Sequence, residues 1–152
     1  MTDDEIAVAE RACERLCLDY AHHADAGEYD AYAALFAEDG ELVLAPPGLR
    51  GPAAIRAASG SARPEGRVSR HVCSNIRIEV VDAQNAVGTT TLLLFRSDAG
   101  EKGIARMPSL EPQLVGTYHD RFRLTEFGWR FAHRHIELAF LKSRAGGAST
   151  SR

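Results

Sequence analysis

The chain has 152 residues, 45% hydrophobic and 26% charged, with a net charge of −3. That is one domain of ordinary size, able to bury roughly 70% of its extended-chain surface and still enclose a pocket, and its composition excludes a wholly disordered chain. The 18 basic residues are scattered and not interleaved with aromatics, which argues against a nucleic-acid surface.

The acidic opening Met1-Thr2-Asp3-Asp4-Glu5 lacks the apolar stretch of a secretory signal. No apolar run reaches the length of a membrane span. A cytoplasmic protein without membrane contact is therefore expected. Thr2 and Glu5 form a capping-box pattern, with Asp3 and Asp4 at the positive end of a helix dipole. Ile6, Ala9, Cys13, Leu16, Cys17, Tyr20 and Ala24 then recur at helical spacing within a stripe about 100° wide, and Gly27 is placed to cap the helix. Cys13 and Cys17 read as small buried hydrophobes; with Cys73 they show no disulfide or zinc spacing.

A second helical pattern covers residues 29–36, and Asp39-Gly40 reads as a break before a short strand at residues 41–44. Gly51-Pro52 opens a third helix with Ile55 inward. The period then changes to two. Strands are expected over residues 68–81, 86–95, 114–125 and 129–141, with a turn at 82–85, a long loop at 97–112 and a hairpin at 126–128. Residues 143–152 read as a disordered tail, leaving 1–142 as a single domain. Helices first and hairpins afterwards imply an α+β fold with a mixed or antiparallel sheet.

Several stretches carry a resemblance. They are Tyr20-Ala-His-His-Ala-Asp25-Ala-Gly-Glu-Tyr-Asp30, Leu35-Phe36-Ala-Glu-Asp39-Gly40, Leu49-Arg-Gly51-Pro-Ala-Ala-Ile55, Arg70-His71-Val-Cys-Ser-Asn75, and Val115-Gly-Thr-Tyr118-His-Asp120-Arg-Phe122 leading to Gly128-Trp129-Arg130-Phe131-Ala-His-Arg134. In this order and spacing the chain resembles the SnoaL-like branch of the nuclear-transport-factor-2-like superfamily. The resemblance implies a cone-shaped, cystatin-like α+β barrel whose curved sheet closes over three N-terminal helices. In dehydratase and dehydrochlorinase members a helical Asp and a strand His form a catalytic dyad, matched here by Asp25 and His71, and Tyr20 matches a site Tyr five residues before the Asp. Phe36, Asn75, Tyr118 and Arg134 complete the expected substrate-contacting set. For Asn75 the alternatives are holding the sheet or orienting His71; for Arg134, as for Arg121 and Arg123, the alternative is surface pairing with acids.

The chemistry follows from the residue types. A histidine with an ordinary pKa of about 6.5 suits a general base. A carboxylate beside it would fix one tautomer and stabilise the imidazolium, while a Tyr hydroxyl could polarise or protonate an oxygen. These groups suffice for β-elimination or enolising isomerisation of a small apolar or cyclic hydroxylated substrate, with no cofactor and no metal. On a regular helix, however, Asp25 lies about 140° from Tyr20. The dyad therefore requires the helix to end near Ala24, or a second face, with Leu18 and Ala21, to be buried. His22 and His23 are adjacent and cannot both face one site. His133, His135 and Glu137 alternate on one strand face with Trp129 and Phe131, a pattern read as solvated rather than metal-binding. The alternative function is a non-catalytic ligand-binding or assembly protein resembling a ring-hydroxylating dioxygenase small subunit. A homodimer or homotrimer is expected in either case.

Overall fold

The computed structural model describes residues 1–143. Of the expected tail, all but Ser143 lies outside the described residues. The first helix, α1 (Asp3–Ala26), starts on a complete capping box: the Thr2 hydroxyl accepts the Glu5 N–H, and the Glu5 carboxylate accepts the Thr2 N–H. It ends on Gly27, whose φ of 74° is a left-handed conformation that costs glycine little. Next come α2 (Tyr29–Ala33), β1 (Phe36–Val43), β2 (Leu49–Arg50) and α3 (Pro52–Ser61). Four long strands follow: β3 (Val68–Val80), β4 (Asn85–Ser97), β5 (Leu114–Thr125) and β6 (Gly128–Leu141). No described helix is long and apolar enough to cross a membrane.

The six strands form one curved sheet in the order β2-β1-β6-β5-β4-β3. All neighbours are antiparallel except β1 and β6, because the chain crosses from one side of the molecule to the other before β6 returns beside β1. The sheet stays open. β2 has two residues and β3 pairs only with β4, so nothing joins the two edges. Helix α1 packs on β3 and β6 on the concave side. There Cys13, Leu16, Cys17 and Tyr20 meet Leu92, Tyr118, Phe122 and Phe131 in the core. Burial pushes the Cys13 thiol up to about 12 and the Cys17 thiol up to about 11, so neither is reactive at neutral pH.

Two expectations are corrected. Asp39-Gly40 does not break the chain: β1 starts at Phe36 and runs through it on a bulge, the register against β6 shifting between Phe36 and Glu41. A Cβ on Gly40 would come within 2.7 Å of the Phe131 carbonyl and 2.9 Å of the Ala37 carbonyl, so the glycine permits this close approach. Phe36 therefore leaves the second helix and enters the core. In β6, Phe131 pairs with Phe122 while His133 pairs with Arg121, leaving Ala132 as an extra residue. That bulge turns Phe131 and Arg134 inward and sends His133 and His135 to the opposite, convex face, so the Phe131–His133 alternation does not hold.

Candidate functional site

A cavity of about 390 Å³ lies between the helices and the concave face of the sheet. Leu42, Leu92, Leu94, Leu114 and Ile136 supply much of its wall, with Tyr20, Tyr32 and Tyr118 as polar groups. His71 lines it as well. A more open hollow of about 540 Å³ lies on the convex face, bordered by His119, His133 and His135. The concave cavity has the mixture of apolar wall and few converging polar groups that small-molecule sites share.

Asp25 stands in the last turn of α1, which remains helical past it to Ala26. The helix is thus regular at Asp25, and contact comes from burial of a second face. Ala21, one turn earlier, is buried against the sheet side, whereas Leu18 stays 45% exposed. The side chain of Asp25 reaches β3. Its Oδ1 accepts from the Ser69 hydroxyl at 3.0 Å and lies 2.6 Å from His71 Nδ1, and its Oδ2 accepts the His71 backbone N–H at 2.9 Å. The Asp25 and His71 side chains are only 15% and 9% exposed. Burial alone would raise the Asp25 carboxyl. The bonds from the His71 ring and backbone, the His71 charge and the Ser69 bond outweigh it and hold the carboxyl below its ordinary value. With Nδ1 committed to the carboxylate, Nε2 is the ring nitrogen left for a guest.

Arg63 secures the helix end that carries Asp25. Its guanidinium donates to the carbonyls of Ala24 (3.2 Å), Asp25 (3.3 Å) and Arg67 (3.1 Å). A cation on the last carbonyls of a helix suits both their unpaired lone pairs and the dipole.

Tyr20 is fully buried, five residues before Asp25, with its ring 4.7 Å from that of Tyr32 and 5.5 Å from that of Tyr118. Its hydroxyl is influenced by both of theirs. Burial pushes all three hydroxyls above their ordinary pKa, so they stay protonated and can donate.

Tyr118 lines the cavity, but the other three residues of the expected substrate-contacting set do not. Phe36 packs behind Tyr20, Tyr32 and Phe131. Asn75 is exposed with φ of 50°, at the point where the β3–β4 register shifts, so its role is in shaping the sheet. Arg134 is wholly buried and holds Asp120 with two bonds of 2.7 Å, its guanidinium 4.2–4.3 Å from the ring centroids of Tyr20, Tyr118 and Phe131. It supports the cavity floor, and the surface pairing weighed for it is corrected. Arg123 does pair at the surface, with Asp39, while Arg121 borders the convex hollow. His22, His23 and Glu28 bring ligand atoms within 4.8 Å of one another at the outer end of α1, away from the cavity. Ser69, Arg63 and Arg96 join the site without a motif to mark them. Ser69 and His71 are two apart on one strand, which places them on one face and is a signal the sequence contains.

Residues 5–135 match the model of the SnoaL-like domain. The chain belongs to the SnoaL-like family. Among solved structures it is similar to a candidate scytalone dehydratase from Novosphingobium aromaticivorans, 27% identical over 99% of both chains with a TM-score of 0.76. A type 2 hexachlorocyclohexane dehydrochlorinase superposes with a TM-score of 0.77 at 18% identity over 95% of both chains. A Mycobacterium tuberculosis protein of unknown function gives 0.71 at 24% identity, covering 86% of this chain and 76% of that one. The last two show the shared fold alone. No curated protein matches the chain.

Proposed function

We propose that this SnoaL-like protein is a cofactor-independent lyase or isomerase for a small, largely apolar cyclic molecule, with His71 as general base. The observation that carries the reading is the 2.6 Å contact between His71 Nδ1 and Asp25 at the wall of an apolar cavity. His71 Nε2 removes a proton from carbon; Asp25 holds the tautomer and faces the imidazolium formed. A hydroxyl of the tyrosine cluster, Tyr20 foremost, donates to the oxygen on which charge develops. In an elimination the carbon–oxygen bond then breaks and the hydroxyl leaves as water with a proton from the imidazolium. In an isomerisation the imidazolium returns its proton to a different carbon. A positioned base contributes roughly 10²–10⁴-fold, and the apolar wall supplies orientation and water exclusion.

The test is deuterium exchange in D₂O of 2-tetralone, an enolisable bicyclic ketone, followed by NMR. The protein is expected to accelerate exchange of the protons beside the carbonyl, and His71→Ala to abolish the acceleration. Unchanged exchange in that variant would exclude His71 as the base. The alternative, an assembly protein like a dioxygenase small subunit, gains no support from an interior holding an open cavity with His71 on its wall. A homodimer or homotrimer belongs to the same proposal. The convex face leaves Val72 and Val87 exposed, and pairing of copies would cover such positions. Light scattering on the eluting protein is expected to give two or three chain masses; a monomer at micromolar concentration contradicts it.

A further inference from the structure

Arg96 is an arginine in an apolar alternation. On β4, Leu92, Leu94 and Arg96 are two apart and share the concave face, and all three line the cavity. Arg96 stands directly across from Ser69, and Leu94 across from His71. Directly opposed residues on antiparallel strands project to the same face. Arg96 is thus two register steps from His71 on the same face, across from the serine that donates to Asp25.

The charge balance of the cavity wall is one-sided. Its lining includes Arg63, Arg67 and Arg96, and no Asp or Glu. Two of these cations are already occupied. Arg63 donates to three carbonyls, and Arg67 grips Asp98 with bonds of 2.6 and 3.0 Å. Arg96 differs. Its Nε is buried without a hydrogen-bond partner, and among the described residues its guanidinium enters no ion pair. Burial, with Arg67 nearby, lowers its pKa from the ordinary arginine value, and the charges of Asp98 and Asp25, neither of them bonded to it, only partly oppose that shift. A guanidinium cannot relieve this by losing its proton in a protein, so a fork of donors remains to be met. Arg134, behind the cavity, also has one buried nitrogen, Nη1, without a partner, but its charge is met inside the protein by Asp120.

We propose that the cavity takes an apolar cyclic carboxylate and that Arg96 binds its carboxylate group. The planar fork of the guanidinium matches a carboxylate with two parallel bonds. The ring system would then lie against Leu92, Leu94, Leu114 and Ile136. Anchoring at Arg96 also sets which carbon comes under His71, so the residue governs specificity as well as affinity. The inference rests on reading this cavity as the substrate site, but not on His71 being a base.

Isothermal titration calorimetry with 2-naphthoate and its neutral analogue 2-naphthamide tests it. The wild-type chain is expected to bind the carboxylate at least about tenfold more tightly than the amide. Arg96→Met is expected to weaken naphthoate binding by roughly 10- to 100-fold, the range of a charge-assisted hydrogen bond, and to leave the amide unchanged. Arg96→Lys should restore part of the preference. His71→Ala should keep it, while abolishing tetralone exchange. Loss of exchange acceleration in the wild type with the preference intact would therefore sink only the catalytic reading. Equal binding of the two probes by the wild type, binding of neither, or full naphthoate affinity in Arg96→Met would overturn the anion proposal. If Arg96→Met does not fold, the wild-type comparison and the uncharged but polar Arg96→Gln decide it in the same way.

Discussion

Asp25→Asn is expected to slow tetralone exchange by roughly 10²–10⁴-fold, nearly as much as loss of His71, although Asn keeps the shape of the side chain. The reason is the proton on His71. A carboxylate only accepts, so Nδ1 must carry the hydrogen and Nε2 keeps its lone pair for the substrate. An amide can donate to Nδ1 instead, which protonates Nε2 and removes the base. The Ser69 hydroxyl and the His71 backbone N–H, at 3.0 and 2.9 Å from the carboxylate, would both lose a charged acceptor. This predicts a stability signature separate from the rate. The folded Asp25 carboxyl lies below its ordinary 3.8, so ionised Asp25 stabilises the fold at pH values above about 4. That contribution is lost as pH falls through the depressed value. The stability gap between wild type and Asp25→Asn in urea denaturation should be widest near neutrality and narrow below pH 4. A gap that does not change with pH would show that the carboxylate's charge is not what the site uses. Ser69→Ala, removing one donor of the three, should lower the rate less than Asp25→Asn.

How much of this could be read beforehand depends on whether the signal was local. The Thr2 capping box, the Gly27 cap, the Pro52 helix start and the four long strands rest on residues within a few positions of one another, and the structure has them where expected. The two bulges do not. Asp-Gly is a turn dipeptide, and only the approach of the Phe131 carbonyl explains why residues 39–40 continue a strand. Period-two counting along β6 cannot register the extra Ala132, so it placed Phe131 with the histidines. Asp25 shows a related limit. The helical wheel ranks faces from α1's own apolar residues, but β3, laid across the last turn, decides that the Ala21 and Asp25 face is buried. Sequence alone directs Arg134 toward substrate or solvent, because arginine is almost never fully buried unless paired and its partner lies 14 residues away on β5. Arg96 left a trace in the alternation Leu92-x-Leu94-x-Arg96, a polar residue on a core face.

Asp120→Ala is expected to cost about 3–5 kcal/mol, a large share of the roughly 5–15 kcal/mol that holds a domain folded. Arg134 and Asp120 have no side-chain exposure, and the pair is bidentate at 2.7 Å. Cys17 completes it: its Sγ accepts from Arg134 at 3.3 Å and lies 3.7 Å from the Asp120 carboxylate. Burial alone would lower the guanidinium's pKa, but Asp120 raises it well above the ordinary value. Removing Asp120 leaves a charge that can neither deprotonate nor reach water. The three aromatic faces around it are in place with or without Asp120, so they do not substitute for the lost carboxylate. The double variant Asp120→Leu with Arg134→Met separates charge from packing. If the pair serves as structure, replacing both partners should recover most of the stability lost in Asp120→Ala, because two buried ions gain little over a well-packed apolar pair. Tyr20 and Tyr118 would then lose the cation beneath their rings. The double variant is therefore expected to regain its melting temperature while tetralone exchange stays impaired. Recovery of both would mean that the Arg134–Asp120 pair supports the fold without tuning the tyrosine hydroxyls above it.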